Sequence, residues 1–201
     1  MRLYNAAPMK KLLSLTPVLL LLSACTSGPP QGMSLEERLK NHLFAEAYYD
    51  TLLDRMVELD IQDDPLLEDS GKASIVENTR RDALAKAKEA TRKQREGLAG
   101  NFVPAKEQTG GEVLYVDNSL HFGPTFDTYP GPSLHVLLTT IVDPREGTFP
   151  DDTAIDLGEI QSPLGAQIIP VPEMEDTAKY RTVVLWDTKL ERLYGFAQLS
   201  K

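Results

Sequence analysis

The 201-residue chain carries 30 acidic against 21 basic side chains, a net charge of −9, and a single cysteine. A surface this acidic repels phosphate-rich partners, which argues against nucleic acid as a ligand. One cysteine cannot close a disulfide, so stability has to come from packing.

The first residues read as an export segment. Met1 to Pro8 is a polar leader that such segments do not need, and Met9 is the expected natural start. Lys10 and Lys11 then precede an apolar run from Leu12 to Leu22, which stops at Ser23-Ala24 directly before Cys25. Basic residues, an apolar stretch and small residues in that order describe a signal peptide over residues 1–24. A membrane-spanning helix needs roughly 20 apolar residues, and this run is shorter and interrupted by Ser14, Thr16 and Pro17.

Leu22-Ser23-Ala24-Cys25 resembles the lipobox of bacterial lipoproteins. The resemblance implies diacylglyceryl transfer to the Cys25 thiol, cleavage before it and acylation of the new amino terminus, palmitate being a typical chain. The alternative is a plain secretory signal cleaved near Ala24 that leaves Cys25 as an ordinary thiol. At about 0.8 kcal/mol per buried methylene, two or three acyl chains on Cys25 would anchor the protein durably. Membrane lipid is therefore the expected first partner, and the extracytoplasmic face of the cell membrane the expected location. Thr26, where some two-membrane bacteria place an inner-membrane retention aspartate, carries no such signal. With Cys25 consumed, no thiol remains for metal ligation or redox chemistry.

Residues 25–33 comprise the lipidated cysteine and a flexible tether, Thr-Ser-Gly-Pro-Pro-Gln-Gly-Met. Residues 34–99 read as a helical hairpin. Ser34-Leu35-Glu36-Glu37 has the form of a capping box, and Leu35, Leu39, Leu43, Leu52, Met56 and Leu59 continue at near-helical spacing until Asp63-Asp64-Pro65. A second helix is expected from about Ala73 to Leu98, with Val76, Ala83, Ala87 and Ala90 on one stripe and Gly97 and Gly100 to end it. Leu35 to Asp69 holds eleven acids and three bases, whereas Lys72 to Glu96 holds eight bases and four acids, so the helices should attract each other. Surface ion pairs contribute only about 0 to 1 kcal/mol each, which leaves the apolar stripes to hold the pair. The basic helix is also a possible site for anionic lipid or nucleic acid, but its acids and its acidic neighbour weaken that reading.

Beyond Gly100 the pattern changes to strands: Glu112–Val116, Ser133–Leu138, Ala154–Ile160, Ile168–Val171, Arg181–Trp186 and Leu193–Leu199, bounded by turn signals such as Gly110-Gly111, Pro130-Gly131-Pro132 and Asp143-Pro144. The fold class is then α+β, an N-terminal helical hairpin followed by an all-β antiparallel sandwich or barrel-like domain over residues 100–201. Five stretches of this region, Tyr129–Leu138, Ile155–Ile160, Gly165–Pro172, Tyr180–Trp186 and Gly195–Leu199, are similar in order and spacing to the DM-thirteen domain family. Gly100-Asn101-Phe102 and Gly111-Glu112-Val113 fit its opening strands, with a shorter segment from Val116 to His121.

That resemblance implies a small all-β extracytoplasmic domain, found in bacterial lipoproteins and beside heme-binding domains in animals, for which electron transfer has been proposed. The proposal centres on a cysteine immediately after the tryptophan of the penultimate strand, and here that place is Asp187. Aspartate neither cycles between thiol and disulfide nor offers soft ligation to a transition metal.

Other residues have plainer readings. His121 and His135 lack the companions a metal site needs; His135 is expected in a hydrogen-bonded structural role and His121 facing solvent or a loop. Asp143, Glu146, Asp151, Asp152 and Asp156 could supply calcium oxygens, but without EF-hand spacing they read as a solvated acidic loop. Trp186 is expected in the core. Ser133 and Ser162 lie near histidine or acid but in no nucleophile-elbow sequence, and no phosphate-cradling glycine loop is present. The reading is a non-enzymatic lipid-tethered binding or structural module at the cell surface, with no cofactor. Its β domain, seven bases against fifteen acids from Gly100 to Lys201, favours a cationic envelope protein or cell-wall partner. The alternative is a redox or cofactor-binding protein with a pocket between two sheets.

Overall fold

The computed structural model describes residues 33–174 and 176–201. The expected signal peptide, Cys25 and the expected tether up to Gly32 lie outside the described residues.

The Ser34 capping box forms as expected: Ser34 Oγ accepts from the Glu37 amide at 3.2 Å and the Glu37 carboxylate accepts from the Ser34 amide at 2.8 Å. The helix it opens, α1 (Leu35–Arg38), lasts one turn. The continuous first helix is thus corrected to two pieces, because α2 (His42–Ile61) starts afresh on Asn41. Asn41 Oδ1 accepts from the Leu43 and Phe44 amides at 3.0 and 3.1 Å, and its Nδ2 donates to the carbonyls of Phe122 and Gln167 at 2.8 and 3.0 Å. Four tertiary and capping bonds on one buried amide outweigh the one more turn that leucine spacing would have continued.

A 3₁₀ turn, Pro65–Glu68, leads into α3 (Ser70–Glu96), which Asp69 caps through Gly71 and Lys72. Val76, Ala83, Ala87 and Ala90 of α3 are buried as expected, and the alanines let α2 approach closely. The charge attraction works differently from expectation. Among the described residues no ion pair joins α2 to α3; arginines pair within their own helix, Arg55 with Glu58 at 2.6 Å and Arg81 with Glu77 at 2.7 Å. Neighbours three or four residues away are simply nearer. What crosses are neutral donors to Glu46, from Thr91 and Gln94 at 2.7 Å each, and the Lys86 ammonium 5.2 Å over the Tyr49 ring.

The strands are β1 (Leu98–Pro104), β2 (Thr109–Gly110), β3 (Glu112–Val116), β4 (Ser119–Phe122), β5 (Asp127–Thr128), β6 (Leu134–Thr139), β7 (Ile155–Glu159), β8 (Gln167–Pro170), β9 (Thr182–Asp187) and β10 (Arg192–Gln198). Eight of them run antiparallel in the order β7-β6-β9-β10-β1-β3-β4-β8, and β2 pairs with β5 alone. β1 is shared: Leu98–Asn101 pair with β3 and Phe102–Pro104 with β10, so the sheet turns a corner there into two facing halves. The two edges are linked by a side chain in place of a ladder. Buried Gln167 on β8 accepts from the Gln161 amide at 2.9 Å and donates to the Ser162 carbonyl at 2.8 Å, just past β7. The result is the expected α+β fold, with the barrel-like variant the nearer description.

Period-2 alternation sorts the strand residues into three layers. Phe102, Val113, Phe122, Phe126, Val136 and Leu185 face inward and pack with other aliphatics, the three phenyl rings 4.7 to 5.4 Å apart. Leu114 and Val116 face outward beneath Leu43 of α2, which seats the hairpin on the β3–β4 half. Leu137, Val184, Trp186, Leu193 and Phe196 face outward on the other half, covered in part by Phe149 and Ala154 of the long β6–β7 connection.

Candidate functional site

Asp187 ends β9 on its core-facing side and has no exposed surface (0%). Its Oδ1 accepts from the Lys189 and Leu190 amides at 3.0 and 2.9 Å, which closes the β9–β10 turn, while Oδ2 accepts from the Ser133 amide at 3.2 Å. The Pro130-Gly131-Pro132 loop lies across it. A Cβ on Gly131 would run into Asp187 Oδ2 and come within 2.8 Å of the Tyr194 hydroxyl, so only glycine lets the loop approach. The Tyr194 hydroxyl donates to the Pro130 carbonyl at 3.5 Å, and burial first, the Asp187 charge second, raise its phenol above the ordinary value. The position at which the family resemblance places a redox cysteine is therefore a buried carboxylate holding two loops together.

On the outer side of the same strand, Trp186 lies opposite His135 of β6 and Leu193 of β10. It is 8% exposed and packs edge-on to Phe149, ring centroids 5.3 Å apart. Its packing role is as expected, but in an outer cluster separate from the inter-sheet core. Beside it runs a groove of about 450 Å³ lined by Phe149, Trp186, Leu193 and Glu191 and by the bases Lys106, Arg145 and Arg192. Those are three of the seven bases of this region. Arg145 is held by Asp143 at 2.9 Å and Arg192 by Glu107 at 2.6 Å.

His135 is hydrogen-bonded, as its structural reading required, and its partners are specific. Nε2 faces Ser133 Oγ at 3.3 Å and Nδ1 faces the Asp156 carboxylate at 2.8 Å. A register shift between β6 and β7, with Gly158 at φ +98°, brings Asp156 alongside, and the Gly158 amide donates to its Oδ1 at 2.8 Å. The acidic stretch is drawn apart to separate partners: Asp143 to Arg145, Asp151 to Thr139 and Thr153, Asp156 to His135. Ser162 serves its own turn, donating to the Leu164 carbonyl at 2.8 Å.

The expectation for His121 is corrected. It is 4% exposed, on β4 beneath the start of α2, where its ring stacks on His42 with centroids 5.0 Å apart and its Nδ1 accepts from the His42 amide at 3.3 Å. Alternation with core-facing Leu120 and Phe122 turns it outward, and the hairpin then covers it. His42 and Asn41 had drawn no attention in the sequence; Asn41 carried one usable signal, the preference of asparagine for helix caps.

This seam carries a pH dependence. Burial first, and the neighbouring His42 second, push His121 from 6.5 down to about 4, against the pull of Asp117. His42 is lowered too, chiefly by burial, with Asp117 raising and Lys93 lowering it. The unfolded chain therefore takes up these protons first, and stability falls as pH drops from 6.5 towards 4. At 1.36 kcal/mol per unit, His121 alone accounts for roughly 3 kcal/mol. Thermal melts between pH 7 and pH 4 should show that loss, and His121→Gln should flatten it; an equal slope in both proteins would refute the assignment.

The family model described as electron transfer DM13 matches residues 101–199, the region in which the sequence resembles that family. No curated protein matches the chain, and no solved structure does.

Proposed function

We propose that this protein is a lipid-anchored extracytoplasmic module that works by binding an envelope partner through its DM13 domain, without thiol redox chemistry. One observation carries the reading. Asp187, at the family's proposed redox position, has both carboxylate oxygens committed to backbone amides and none of its surface open to a partner. Neither its chemistry nor its access suits electron exchange or soft-metal ligation. The chain's single thiol, Cys25, is assigned to lipid. The partner would be a cationic envelope protein or wall component, in keeping with the acidic surface.

The domain match favours a second reading, electron transfer through a non-covalently held cofactor. The phenylalanine-filled space between the sheet halves is a poor place for one. The groove beside Trp186, with Phe149 and Trp186 in its lining, suits a planar group better, while Glu191 lines it too and Asp143 and Glu107 hold two of its three bases. Visible absorption and elemental analysis of protein purified from membranes decide between the two. A colourless, metal-free protein whose N-terminal peptide carries diacylglyceryl on Cys25 is the expected result; a flavin, heme or copper band would overturn the first reading, and an unmodified Cys25 thiol would overturn the anchor.

A further inference from the structure

Ser133, His135 and Asp156 are connected in a particular sense. The imidazole offers Nδ1 to a carboxylate at 2.8 Å and turns Nε2 to a serine hydroxyl at 3.3 Å. With the Nδ1 proton donated to Asp156, the lone pair on Nε2 points at Oγ, the arrangement in which a histidine acts as general base toward serine. Both ends are fixed. Asp156 is held by the Gly158 amide at 2.8 Å, and Ser133 is held through its own backbone, its amide on Asp187 at 3.2 Å and its carbonyl receiving the Thr188 amide at 2.9 Å. The hydroxyl itself is left to the histidine, and Ser133 and His135 are only partly buried. The Lys189 ammonium, on the Pro132 carbonyl at 3.3 Å, puts a cationic donor in the same turn. One strand over, Trp186 opposite His135 begins the apolar wall of the groove.

We propose that Ser133 is a nucleophile for acyl transfer, primed by His135 and positioned by Asp156, with small activated esters as its substrate class. Oγ bonds to the ester carbonyl carbon and the carbon–alkoxide bond breaks. The serine proton passes to His135 Nε2 and from there to the leaving alcohol. Water then attacks the acyl carbon, gives its proton to Nε2 and releases the carboxylic acid as the Ser133 hydroxyl is restored. The partly exposed face around Ser133 and His135 would admit the ester. This adds a chemistry to the binding reading and does not depend on the lipid anchor.

Full-length protein in detergent, treated with an alkyl fluorophosphonate, tests it by intact mass and peptide mapping. Labelling at Ser133 is expected to be about 100-fold faster than at Ser162 in the same molecule, the size of a general-base contribution, and to fall by about that factor in His135→Gln and markedly in Asp156→Asn. Ser133→Ala should abolish it while leaving the melting temperature within a few degrees. p-Nitrophenyl acetate should show the same order of variants. Ser133 labelling no faster than at Ser162, or undiminished in His135→Gln with an unchanged melting curve, would overturn the proposal and leave the binding reading untouched.

Discussion

Asp187→Ala is expected to destabilise the β domain by about 3 kcal/mol, a fall in melting temperature of about 6–12 °C for a protein of this size. The substitution removes the acceptor of three backbone amides, those of Ser133, Lys189 and Leu190. The Lys189 and Leu190 amides, on exposed turn residues, can recover water as the turn loosens, whereas that of partly buried Ser133 recovers it less readily. Asp187→Asn keeps one acceptor oxygen and should lose about half as much. Asp187→Cys is the informative variant. It puts a thiol where the family resemblance places one, yet a sulfur atom is a poor acceptor for three amides, so it should melt low, and its buried thiol should react with Ellman's reagent only on unfolding. A wild-type melting curve for Asp187→Cys would show that the carboxylate is not what holds these loops.

Asn41→Ala should release the hairpin and leave the barrel standing. The cap contributes about 1 kcal/mol, and the orphaned carbonyls of Phe122 and Gln167 add about 1–2 kcal/mol more. That sum falls on the seam between α2 and the β4–β8 edge, where the Leu43 contact with Leu114 and Val116, the His42–His121 stack and the His42 amide bond to His121 remain, while Lys93 of α3 pairs with Asp117 at 3.3 Å. The effect is expected as local opening: faster amide exchange and proteolysis over residues 33–97, with the β domain protected as before. Asn41→Asp retains the cap but turns a carboxylate oxygen towards two carbonyls, so it should open the seam while preserving helix content. Unchanged protection of the hairpin in both variants would place its attachment elsewhere.

Much of this architecture could be read from local chemistry. Ser34 and Glu37 formed the box their spacing promised, the alanine stripe of α3 marked a close helix contact, and the six expected strands from Glu112 onward appeared within a residue or two, whereas β4 and β5 were not expected. What escaped depended on partners distant in sequence. Asn41 is bonded to Phe122 and Gln167, 81 and 126 residues away, and nothing in a leucine-spaced run announces that. His121 stood in an apolar strand, and only the arrival of α2 over its outer face buries it. Ser133, in the turn before β6, meets His135 two residues on in the strand. Asp156 joined them through a register shift at Gly158, which spacing alone does not reveal.

The hairpin sits on one outer face of the rolled sheet and the Trp186 groove on the other. The anchor proposed at Cys25 would join the body through α1, which precedes the Asn41 seam in the chain. Eight tether residues, 26–33, reach at most about 26–29 Å when fully extended. The outer face of β6 and β9, with His135 and Trp186, is one the hairpin does not cover, so a partner can reach it without displacing α2 or α3.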